Sequence, residues 1–134
     1  MATFNKFDSF VEALAEKVHN LGSDTLTVAL TNSAPVATNT VLANITQVSY
    51  TYCSTRVLTV SASSQTSGTY SLVVSDLTLT ATGGSIGPFR YIVIYNDTAG
   101  NDELIGWYDH GSEVTVTTGN TFLLDFGATV LTLV

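Results

Sequence analysis

With 134 residues, 45 % of them hydrophobic and 11 % charged, the chain suits one domain with a real core and is too apolar for a disordered polymer. Its net charge is −7 and its four bases, Lys6, Lys17, Arg56 and Arg90, are scattered. No cationic stripe can track phosphates, so neither nucleic acid nor an anionic membrane is an expected partner.

In chain order, the first expected element is an amphipathic helix over about residues 4–21. Phe4, Phe7, Val11, Leu14, Val18 and Leu21 fall at three- and four-residue steps, which makes one apolar stripe with Phe10 beside it. Thr3 is placed to cap its start and Gly22 to end it. From residue 25 the period becomes two. Leu26, Val28 and Leu30 point one way along a strand over 25–31, and threonines mostly the other. A loop at 32–35 precedes an ambiguous stretch, 36–48, in which Thr38-Asn39-Thr40 offers a helical turn before Val41 and Leu42. Strands are expected over 57–61, 69–75 and 77–81. The run 89–95 is apolar on both faces and reads as the central strand. Further strands are expected over 104–108, 113–117, 121–126 and 129–133, with turns at Gly119-Asn120 and Gly127. The sum is a mainly β fold: an antiparallel β-sandwich or barrel-like domain over about 25–134, joined to the helix in a single domain, 1–134.

Little in the chain points to chemistry. Gly83-Gly84-Ser85-Ile86-Gly87 fits the G-x-S-x-G pattern of a nucleophile elbow, but an elbow needs a helix after the serine. Here Pro88 and a strand are expected, so a glycine-rich turn is the favoured reading. Asp109 and His110 are strand neighbours facing opposite ways, and His19 reads as a cation near a helix end. The acids Asp97, Asp102, Glu103, Asp109 and Glu113 lack EF-hand spacing and read as solvated. One cysteine, Cys53, and two distant histidines do not make a zinc site. No catalytic residue, cofactor or metal is expected. The first residues lack the apolar run of a signal peptide, so synthesis in a reducing cytoplasm is expected.

Several segments carry a resemblance. They are the opening MATFNKFDSFVEALAEKVHNLGSDTLTVALTNSAPVATNTVLANITQ, then SSQTSGTYSLV, TATGGSIGPFRYIVIYND and LIGWYDHGSEVTV. Together they resemble a family of small structural proteins of tailed bacteriophages, some of them similar to head decoration or cement proteins. The strongest piece runs from Gly83 to Tyr91 and on to Tyr95-Asn96-Asp97. Where relatives tend to carry a glycine-rich Gly-Asn-Gly-Tyr loop, this chain has Val48-Ser-Tyr-Thr-Tyr-Cys-Ser54. The resemblance implies a virion protein made in the bacterial host cytoplasm. It would bind the major capsid protein on the outer shell, as a dimer or trimer. The candidate contact residues are Phe4, Phe7 and Phe10, Ile86 and Pro88 in the glycine-rich turn, and Tyr50 and Tyr52. Two other classes remain open: a tail-associated carbohydrate-binding or host-adhesion module, marked by a row of exposed aromatics, and a small hydrolase using Ser85, marked by a histidine within reach.

Overall fold

A computed structural model describes residues 2–134. The fold is mainly β, with antiparallel sheets and one α-helix among the described residues. In chain order the elements are β1 (Phe4–Lys6), α1 (Ser9–Ala15), β2 (Leu26–Thr31), β3 (Val60–Thr66), β4 (Thr69–Val74), β5 (Leu77–Thr80), β6 (Ile86–Asn96), β7 (Leu104–Val116), β8 (Thr121–Leu124) and β9 (Leu131–Leu133). A four-stranded sheet in the order β1-β7-β6-β2 faces a three-stranded sheet, β3-β4-β9, and the pair β5-β8. Leu26, Val28, Leu30, Ile92, Ile94 and Ile105 of the main sheet meet Leu72, Val74, Leu79 and Leu124 of the smaller ones in the principal core. The arrangement is that of a sandwich and not a closed barrel.

The helix is shorter than the stripe implies. Phe4–Lys6 is a strand paired with Gly106–Tyr108 of β7, and Asp8 occupies the N-cap, so Thr3 caps nothing. The helix ends before Gly22. Lys17 adopts φ 69°, and the Val18 and Lys17 amides donate to the Ala13 and Leu14 carbonyls at 2.8 and 3.4 Å. That pair of bonds is a Schellman closure with lysine at the left-handed position. Phasing changes with length: Phe7, Phe10 and Leu21 are buried, whereas Val11 and Val18 are 49 % and 37 % exposed.

The second departure is in β2, which is buried along its whole length. Thr27 and Thr31 do not face water. Single bridges from Val57 and Gln47 lie along the β2 edge, and a second apolar cluster covers the back of the main sheet. That cluster joins Ala29, Val93, Tyr95 and Leu104 to Phe7 and Ile45. The segment that includes Ile45 also contains a 3-10 turn, Leu42–Asn44. It is tied down by amide bonds from Asp8 to the Ala37 carbonyl and from Leu104 to the Thr40 carbonyl, at 2.9 and 3.0 Å.

Two expected strands, 104–108 and 113–117, are one: β7 runs unbroken through Gly111 at φ 96°. The central-strand reading of 89–95 matches β6, which lies between β7 and β2. Leu77, Trp107 and Phe122 are half-buried at the margin of the core. No helix among the described residues is long and apolar enough to cross a membrane.

Candidate functional site

The glycine-rich segment leads straight into a strand. Ser85 is exposed and is followed at once by β6, whose Ile86 pairs with Val116 of β7. Gly87 takes φ 105° and the Gly87–Pro88 bond is cis. The strand-to-helix turn of a nucleophile elbow is therefore absent. Neither histidine serves Ser85. His110 stands edge-on to Phe122 at 5.2 Å, and His19 is buried beside Asn96 at 3.0 Å. The tight packing here belongs to Gly84, where a Cβ would come within 2.3 Å of the Tyr52 ring.

The expected contact residues do not form one surface. Phe7, Phe10 and Ile86 are core residues, each 1 % exposed or less. That corrects their assignment to an interface: their rings and branches fill the two apolar clusters. Phe4 is half-buried, edge-on to Tyr108 at 5.6 Å. Tyr50 is a clamp on β2. Its hydroxyl accepts from the Leu30 amide at 2.9 Å and donates to Gln47 at 2.8 Å, while the Arg56 guanidinium lies 3.5 Å from its ring centre. Burial pushes its phenol up. Pro88 and Tyr52 remain exposed, Tyr52 by 45 % over the Gly83-Gly84 turn.

Sequence reasoning missed a buried polar hub. Asn96, fully buried at the end of β6, donates to Asp24 Oδ2 at 2.7 Å and to His19 Nδ1 at 3.0 Å. Its carbonyl accepts from the Thr98 and Ala99 amides at 3.0 and 3.2 Å. Every valence of the amide is used, which a buried polar group requires. His19 accepts at Nδ1, so its proton sits on Nε2, and burial lowers its pKa against the opposing pull of Glu103 and Asp24. His19 is thus a neutral structural acceptor and not a helix-end cation. Nothing in residue spacing marks Asn96 for burial; only the turn-rich run after it hinted at its hydrogen bonds.

The acids are dispersed. Asp109 accepts two bonds from Arg90, at 2.8 and 3.1 Å, and the guanidinium holds its carboxyl below the ordinary range. Glu113 accepts from Asn32 and Glu103 from the Asn101 amide. No group of three or more potential metal ligands converges among the described residues. A cleft of about 490 Å³ lies between β7 and β8, with Tyr108, Phe122 and Phe126 in its walls and Asp109, His110 and Asp125 also lining it. Burial raises the Tyr108 phenol to about 12. Tyr108 and Phe126 present little surface to the cleft, so of these three walls only the half-exposed Phe122 ring is open to stacking, and no nucleophile and base meet in it.

No protein-family model matches the chain, and neither a curated protein nor a solved structure matches it.

Proposed function

We propose that the protein is a structural component of a tailed-phage particle, a capsid decoration or cement protein that binds the outer shell and stabilises it. It acts as a homo-oligomer, a dimer or a trimer, and performs no catalysis. What carries the reading is where the resemblance falls. The strongest family-like stretch, residues 83–97, contains the whole of β6, the inner strand of the main sheet. A likeness lodged in the architectural centre bears on the fold, and the particle role rests on the resemblance together with the acidic charge.

The charge fits an exterior position, because a net −7 would be repelled by packaged DNA phosphates. Stabilisation would work by mass action. A ligand that binds the assembled shell and not its dissociated subunits shifts the balance toward assembly, and many copies add their effects. The test is the protein's recovery in purified particles at a fixed high copy number, with earlier DNA release on heating when it is missing.

The cleft between β7 and β8 favours a second reading, a tail-associated carbohydrate-binding module. The half-exposed Phe122 ring, with Asp109 and Asp125 lining the same cleft, is the feature that would meet a sugar ring. Titration with soluble host glycans, followed by NMR shifts at Phe122 and His110, separates the two: no shift at millimolar glycan rejects the sugar reading.

A further inference from the structure

β3 is an open edge. It pairs with β4 on one side and has no neighbour on the other among the described residues. Its hairpin closes through Ser67 and Gly68, both at positive φ, 51° and 83°, which defines a two-residue type I′ turn. In such a hairpin the closing pair, Thr66 and Thr69, is hydrogen-bonded to itself, and alternate pairs follow the same rule. The backbone N–H and C=O groups of Gln65 and Ser63 therefore point away from β4, Gln65 being exposed and Ser63 half-buried beside Gly22.

Edge strands in monomeric proteins are usually blunted by lysine, proline or an inward charge. β3 has none of these, and the other common device, a β-bulge, is confined to its start at Val60–Ala62. Residues 57–75 contain no Asp, Glu, Lys, Arg or His, and between Arg56 and Arg90 the one charged side chain is Asp76. The rest of the chain carries ten of the eleven acids, so two copies repel each other wherever those surfaces approach. The β3 edge is free of that repulsion and, at seven residues, is longer than the open edges of β5, β8 and β9. Its one irregularity, a register shift between Val60 and Ala62, leaves the run from Ala62 to Thr66 straight against β4.

We propose that β3 is a self-pairing edge, at which two copies of the chain join antiparallel about a two-fold axis. Each strand is then donor and acceptor to its mate, as a two-fold interface requires. The two three-stranded sheets become one continuous sheet of six, in the order β9-β4-β3-β3-β4-β9. Such pairing uses main-chain bonds for affinity, and its uncharged side chains impose no penalty. The inference rests on the oligomeric part of the reading above and not on its particle part. A monomeric protein overturns the pairing and leaves shell binding to be decided on particles.

The test is sedimentation of the purified full chain from about 5 µM to about 500 µM, the range in which a small main-chain interface dissociates. The wild type is expected to pass from monomer to dimer across it. Ser64→Lys puts a charge on an exposed edge position, and Gln65→Pro removes an outward N–H at a site where an edge strand accepts proline. Each is expected to weaken dimerisation at least about tenfold, with an unchanged far-ultraviolet spectrum. Amide exchange gives a second readout: the Ser63 and Gln65 amides should be protected in concentrated wild-type protein and exchange on dilution. A wild type that stays monomeric throughout, or a dimer that folded Ser64→Lys protein retains at full strength, overturns the proposal.

Discussion

Gly106 sits directly beneath Phe4. A Cβ there would stand 2.2 Å from the Phe4 ring and 2.6 Å from the Asn5 carbonyl oxygen, so the ring occupies the space that a side chain would need. Gly106→Ala should therefore lift β1 off β7 and cost about 1–3 kcal/mol in urea unfolding, the usual cost of overpacking. A change under about 0.3 kcal/mol would show that β1 is not held this way. Lys17 presents the opposite case. A lysine at a left-handed φ of 69° is strained where glycine is the usual occupant. Lys17→Gly should stabilise the protein by about 0.5–1 kcal/mol, the strain relieved less the added freedom of the unfolded chain. His19 makes stability depend on pH. Burial lowers its folded pKa below 6.5, so below that pH the unfolded chain takes up a proton that the folded form resists. The His19 contribution is intact above pH 6.5 and is lost as pH falls through the unfolded value toward the lowered folded one. His19→Asn, which keeps an acceptor near the Nδ1 position, should lose less stability than wild type between pH 7 and pH 5 in parallel urea titrations.

At the scale of elements, the N-terminus shows why sequence pattern and structure part company. Phe4, Phe7, Val11, Leu14, Val18 and Leu21 keep helical steps, yet three different structures share them: β1, α1 and the chain beyond the Lys17 turn. Periodicity cannot register a pairing made with β7 a hundred residues away, or a left-handed lysine. A chain starting after Asp8 loses β1 together with Phe7, which is wholly buried in the second cluster. It is expected to melt well below the full chain or to fail to fold; unchanged melting would mean that β1 and Phe7 contribute nothing. The strands with one-sided patterns were legible: Leu26, Val28 and Leu30 in β2, and Leu77 and Leu79 in β5. So was β6, whose run of large apolar residues needs burial on both faces. β3 was displaced because it lies at an edge with most of its residues exposed, where no alternation is required; its place is set by the Ser67-Gly68 turn and by β4. The candidate site was less legible than the fold. Phe10 and Ile86 look like surface anchors in a list of large apolar residues, and only packing reveals them as core. The hub of His19, Asp24 and Asn96 joins residues more than seventy positions apart, beyond the reach of any local motif.

For the whole molecule, the proposed function is one exercised through surfaces. Asp24, His19, Tyr50, Asp109 and Glu113 are engaged in hydrogen bonds, and the serine pattern opens a strand. An acidic exterior keeps free copies apart, while the uncharged 57–75 hairpin offers one edge for pairing. A decoration protein must stay soluble when free and then assemble on a shell, and this division of the surface suits both demands. In the proposed reading the chain is encoded by a tailed phage, and that central claim is tested most directly by quantitative mass spectrometry and reconstruction of purified particles of such a phage. The expected result is a fixed high copy number on the outer face of the shell, with particles lacking the protein releasing DNA at a lower temperature. Absence from the particles, or a few copies at the tail tip alone, would contradict it.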